Sequence, residues 1–153
     1  MKKFLAIIGG ISLVLLLAAA IFFGYGAYRG SKLDASSKIF IEEHIPRILS
    51  TWSKDDLLKL SSPTLLEIIN KDPHSLDLLF KKTAALGKLQ QLYDIKGGSN
   101  FSFTTKHGAV TTARYTAKAK FDNGDATIDI QMIQSSGQWQ LLGFFINSPF
   151  LLQ

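Results

Sequence analysis

The chain has 153 residues, 46% of them hydrophobic, with 17 basic against 12 acidic side chains and no cysteine. That length holds one ordinary domain, and the lack of cysteine excludes a disulfide framework, a thiolate metal site, a thiol nucleophile and a lipidated N-terminal cysteine. The net charge of +5 falls to +2 once Lys2, Lys3 and Arg29 are set aside, and no basic stripe is interleaved with aromatics, so nucleic acid is not an expected partner.

Residues 4–28 carry no charged side chain, and as a helix those 25 residues would measure about 37 Å, enough to cross a ~30 Å hydrocarbon core with some tilt. A short basic tail before an apolar run has the form of a signal anchor, leaving Lys2 and Lys3 in the cytoplasm and exporting the chain beyond Arg29. The competing reading is a cleaved signal peptide. Against it, the run exceeds the ~7–15 residues of such an apolar region and stays hydrophobic after Ala18-Ala19-Ala20. The expected organisation is a transmembrane anchor with basic flanks over 1–30 and an extracytoplasmic domain over 31–153.

Residues 30–37 (GSKLDASS) read as a polar tether in which Asp34 or Ser36 caps the first helix. That helix has Ile41, Ile45, Ile48 and Trp52 at helical spacing, and Pro46 is expected to kink it. Ser53 or Asp55 begins a short helix, and Ser62-Pro63 begins another as cap and first helical position. After the turn NKDP, a third segment carries Leu76, Leu79, Phe80, Thr83 and Leu86 on one face, and Gly87 closes it.

Beyond Gly87 the period becomes alternating. Leu89, Gln91, Tyr93 and Ile95 share one parity, GGSN at 97–100 reads as a turn, and Phe101 and Phe103 alternate with polar neighbours. Over 109–121, Ala113, Tyr115, Ala117, Ala119 and Phe121 face one way, with Arg114, Lys118 and Lys120 opposite. Asn123-Gly124 signals a type I′ hairpin. Ala126, Ile128, Ile130 and Met132 alternate next, and a closing strand begins near Trp139. Helical segments first and an antiparallel meander second predict an α+β fold.

The stretch TARYTAKAKFDNGDATIDIQMIQSSGQWQLLGFFINSP, with TWSKDDLLKLSSPTLL and LFKKTAALGKL, resembles a group of membrane-anchored bacterial proteins with an NTF2-like (cystatin-like fold) domain. Ala113-Arg114-Tyr115, the Phe121–Gly124 turn, Gly137-Gln138-Trp139 and Gly143-Phe144 carry the likeness, which covers most of residues 37–149. The resemblance implies three helical segments packed on a strongly bent sheet that forms a cone. Its motifs are packing and turn residues, and such a fold hosts many functions.

Catalysis on this fold would need titratable groups inside the cone. Asp129 falls outward with Arg114 and Lys118, and Asp122 and Asp125 belong to a turn. The inward polar candidates are Tyr93, Tyr115, Thr111 and Gln91, which supply no pair of groups with separated pKa values. Tyr115 reads as a core residue with a satisfied hydroxyl. His44 has no second histidine one turn away, His74 lies in a turn and His107 at a strand end, so neither a metal nor a cofactor is expected. The small residues Ala113 and Ala117 either admit a helix closely or floor an apolar pocket walled by Tyr93, Phe103, Tyr115 and Trp139.

The closing strand is apolar on both parities. With Trp139, Leu141 and Phe145 in the core, Leu142, Phe144 and Ile146 would emerge beside Ile133 on the outer face. That patch predicts a homodimer through the outer sheet face, unless Phe150, Leu151 and Leu152 fold back over it. The expected function is a bacterial inner-membrane protein, anchored through residues 4–28, presenting a non-enzymatic interaction domain in the periplasm. The alternatives are a small apolar-ligand-binding domain, an accessory subunit of an envelope secretion or conjugation assembly, and, least favoured, an isomerase- or hydrolase-type enzyme.

Overall fold

The structure is a computed structural model that describes residues 2–106 and 108–152, and their side chains except at residues 2–15, 26 and 104. His107 lies outside the described residues. The chain divides into two units, Met1–Leu33 and Asp34–Gln153.

The first unit is helical and belongs to α1 (Lys2–Thr51). Among the described residues no helix is long and apolar enough to cross a membrane, and the side chains of residues 4–15 of the expected span lie outside that description. Its described apolar side chains are open, Phe22 at 78% and Phe23 at 75% exposure. The Arg29 guanidinium stands 5.8 Å over the Tyr25 ring, and the Lys32 ammonium 5.3 Å over Tyr28.

The expected tether at 30–37 is instead part of α1. Lys32, Leu33 and Ala35 favour helix, and the two residues expected to cap are engaged elsewhere. Asp34 accepts from the Ser99 backbone N–H at 2.7 Å, and Ser36 Oγ accepts from Trp139 Nε1 at 2.9 Å. Within the second unit, Ile41, Ile45, Ile48 and Leu49 are fully buried, each contributing about 1.5–3 kcal/mol of burial. Pro46 lies inside the helix without dividing it. Trp52, at φ 49°, turns the chain out of the helix and stacks on Phe121 with ring centres 5.5 Å apart.

Three short helices follow, the first two begun by a side chain expected to cap them. Ser53 caps α2 (Lys54–Leu60), Ser62 caps α3 (Pro63–Lys71) with Pro63 in its first turn, and Asp72 caps α4 (Pro73–Thr83). A 3-10 turn, Ala84–Leu86, ends at Gly87 with φ 84°, a conformation open to glycine. The apolar face expected of this segment is buried at Leu76, Phe80, Thr83 and Leu86.

Strands β1 (Leu89–Thr104), β2 (Gly108–Phe121), β3 (Asp125–Ser135) and β4 (Gln138–Asn147) form an antiparallel meander in the order β1-β2-β3-β4. The fold is α+β. The core alternation of β2 and β3 is as expected, with Ala113, Tyr115, Ala117, Ala119 and Phe121 buried opposite Ala126, Ile128, Ile130 and Met132.

Four strand expectations are corrected. GGSN is no turn, since β1 runs through it paired with β2. Gly97 permits this by lying against β2, where a Cβ would sit 2.0 Å from the Arg114 carbonyl oxygen. The inward parity of Gln91 and Tyr93 is reversed by a register shift between Leu89 and Gln91, which sets them opposite Lys120 and Lys118. Asn123-Gly124 makes no type I′ turn, because neither residue takes a positive φ. The loop is tied instead to the preceding segment, Asn123 N–H donating to the Leu86 carbonyl and Asp122 accepting from the Lys88 N–H.

The fourth correction concerns β4. Leu141 pairs with Met132 and Gly143 with Gln131, leaving Leu142 as an extra residue without a β3 partner. One inserted residue exchanges every later side chain between faces. Phe144, expected outside, is therefore buried at 8% exposure, and Phe145, expected inside, is 58% exposed. The C-terminal 3-10 turn Pro149–Leu152 follows Ser148, whose Oγ donates to the Asp125 carbonyl, and sets Phe150 against Gly124 at the β2–β3 loop.

Candidate functional site

The residues expected to wall a pocket under the sheet differ in burial. Ala113, Ala117, Tyr115 and Trp139 are buried, while Tyr93 is 38% and Phe103 73% exposed. Between the two alanines, Tyr115 is bonded to α1. The Tyr115 hydroxyl lies 2.8 Å from Ser37 Oγ and donates to the Asp34 carbonyl, so it is a satisfied core group.

Nor does the outer sheet face carry the expected patch. Phe144 has left it for the core and Ile146, opposite the buried Ile128, has turned with it, while Ile133 and Leu142 are half-buried. Charged pairs within and between strands occupy that face. Arg114 donates twice to Asp129, at 2.6 and 3.3 Å, and Asp94 holds Lys96 and Lys118 at 2.9 and 3.3 Å. These lysines, hydrogen-bonded to Asp94, keep its carboxyl below the ordinary range, and Asp129 raises Arg114.

An apolar groove lies elsewhere, among α2, α3, α4 and β4, with a volume of about 410 Å³. Leu65, Ile68 and Ile69 of α3 form one wall, Leu76 and Leu79 of α4 another, Leu57 of α2 closes one part, and Phe144 and Phe145 supply the β4 side. Helix α3 is amphipathic, yet none of its nine residues is buried, and Ile68 is 57% exposed. A helix in that state has an apolar stripe only half covered from within, Leu65, Leu66 and Ile69 being half-buried.

Backbone contacts hold α3 in place. The Ser62 N–H donates to the Leu141 carbonyl at 2.7 Å, and Ser61 forms a parallel bridge to the same residue. This docks the start of α3 on β4, an edge strand, beside the Leu142 bulge. Past the bulge, consecutive residues Phe144 and Phe145 both line the groove. Neighbouring strand residues point to opposite faces, so the groove wraps the open edge of β4. Gly143 allows this, since a Cβ there would come 3.0 Å from the Phe145 ring.

The polar groups in the groove are Asp72 and Ser75, which satisfy each other at the α3–α4 corner. The Ser75 hydroxyl and then its backbone N–H hold the Asp72 carboxyl below its ordinary value. One carboxylate committed to a cap offers no acid–base pair. Among the described residues no cluster of His, Asp or Glu is arranged to hold a metal. His44 packs its ring on Phe40 at 4.7 Å, and His74 lies in the first turn of α4. The sequence reading missed α3 as a site. Its signal was the crowding of Leu65, Leu66, Ile68 and Ile69 into nine residues, more apolar surface than a short surface helix buries.

Comparison with protein-family models, curated proteins and solved structures found no match to this chain.

Proposed function

We propose that this chain is a membrane-anchored envelope protein whose exported domain, NTF2-like in plan, binds an apolar segment of a partner protein without catalysing a reaction. The carrying observation is α3, amphipathic and with none of its residues fully buried, beside the edge strand β4. An extended segment added to an exposed strand edge gains backbone hydrogen bonds and places alternate side chains in the adjoining groove. Helices followed by a four-stranded antiparallel meander support the NTF2-like plan. The uncharged run 4–28 and the cation–aromatic pairs of Tyr25 with Arg29 and Tyr28 with Lys32 support the anchor. Tyrosines and basic residues of this kind gather at membrane–water boundaries. A subunit of an envelope secretion or conjugation assembly is one setting in which such a partner would occur.

The second reading is a small apolar ligand, favoured by a groove of about 410 Å³, within the ~300–1,000 Å³ of ligand pockets. The test is a photo-crosslinking amino acid at position 68 or 145 of the full chain in its native membrane, with Thr116 on the outer sheet face as control. The proposal expects adducts to an apolar, extended segment of one protein at both groove positions and none at 116. Adducts to a small molecule alone would favour the second reading, and adducts equal at all three positions would overturn both.

A further inference from the structure

We infer that the distal half of the β1–β2 ribbon rests on the membrane surface, with Phe101 and Phe103 seated between headgroups and acyl chains. This builds on the anchor reading above. Within the second unit, β2 runs alongside α1. Its Phe121 stacks on Trp52, where α1 ends, and its Tyr115 hydroxyl bonds to Ser37 and Asp34, where the unit begins. On β1, Ser99 is bonded to Asp34. The strands beyond Ser99 and before Ala113 therefore continue past the point at which the chain joins this unit. Phe103 lies four strand residues past Ser99, about 13 Å at ~3.3 Å each.

The chain places that point near the bilayer. Asp34 is the sixth residue after Tyr28, the end of the uncharged run, a reach of no more than about 20 Å even if fully extended. A ribbon projecting about 13 Å from Asp34's partner spans a comparable distance.

Composition supports the same surface. From residue 97 to residue 113 the one formally charged side chain is Lys106, whereas the adjoining ribbon carries Asp94, Lys96, Arg114, Lys118 and Lys120. Phe101 and Phe103, opposite Thr111 and Ala109 and so on one face, are 55% and 73% exposed. An exposed ribbon with two aromatics and almost no charge suits the interfacial layer, where aromatic rings accumulate. A lysine at its tip suits anionic headgroups.

The cysteine-free chain allows a clean test. The full chain carrying Thr105→Cys, labelled with an environment-sensitive fluorophore, is reconstituted into vesicles of phosphatidylethanolamine and phosphatidylglycerol, with Thr127→Cys as control. Both sites are exposed, and both phenylalanines are retained. Flotation reports the anchor, and quenching by nitroxide-bearing lipid reports the ribbon. The inference expects co-flotation, with lipid quenching severalfold stronger at 105 than at 127. Adding Phe101→Ser and Phe103→Ser should abolish that difference while leaving far-UV circular dichroism unchanged. Co-flotation with equal, water-accessible labels overturns the inference and leaves the anchor standing. Failure to float overturns both. A blue-shifted label at 105 that resists lipid quenching and depends on protein density assigns the ribbon to a second copy, and also overturns the inference.

Discussion

The hydroxyl of Tyr115 lies 2.8 Å from that of Ser37, joining the centre of the sheet to α1 across 78 residues of sequence. Both residues are buried, and each hydroxyl has a second bond or partner at the Asp34 carbonyl. Tyr115→Phe should therefore cost about 1–1.5 kcal/mol, the net worth of a buried hydrogen bond whose partner keeps another. Chemical denaturation of the full chain measures it. Combination with Ser37→Ala should fall short of the sum of the two single effects, and strict additivity would remove the bond from the account.

Phe144 and Phe145 are neighbours with opposite fates. Phe144→Ala should destabilise by about 3–5 kcal/mol through loss of a buried aromatic. Phe145→Ala should cost less than about 1 kcal/mol, as exposed positions usually do, while weakening whatever fills the groove. Thermal unfolding of the two variants checks the contrast, and equal losses would place the bulge elsewhere.

Gly97 and Gly98 are also adjacent and should differ sharply. An added methyl at Gly97, where φ is 150°, meets the Arg114 carbonyl at 2.0 Å and the Tyr115 Cα at 2.7 Å. Both are backbone atoms that move only with the sheet. At Gly98 the nearest atom is Asp34 Oδ1 at 3.4 Å, the end of a side chain. Gly97→Ala should thus lower the melting temperature well beyond an ordinary strained glycine substitution of ~1 kcal/mol, and Gly98→Ala should leave it nearly unchanged.

The α3–α4 corner should respond to acid. Ser75 holds the Asp72 carboxyl below its ordinary value, first through its hydroxyl and then through its N–H. A depressed carboxyl stabilises the fold fully above its ordinary value, and that contribution is lost as pH falls through the lowered, folded one. Amide exchange at Ser75 should accordingly accelerate below the ordinary carboxylate range. In Asp72→Asn, which keeps a capping oxygen without a titrating proton, that step should vanish.

The sequence alone determined what depends on neighbours a few residues apart. Ser53, Ser62-Pro63 and Gly87 marked helix ends because their side chains, or lack of one, act on the nearest backbone groups. Ile41, Ile45 and Ile48, and the alternation from Ala113 to Phe121 and from Ala126 to Met132, exposed their periods directly. Tertiary structure decided the rest. Asp34 or Ser36 has the local chemistry of a cap, but Ser99 and Trp139, more than sixty residues away, engage their oxygens and the helix runs on. Gly97-Gly98 had the composition of a turn, yet pairing with β2 draws it out as strand. The groove hung on Leu142, because nothing local distinguishes a bulged residue from a paired one. Met132 opposite Leu141 and Gln131 opposite Gly143 leave it over, and that single residue decides which phenylalanine enters the core and which reaches the groove.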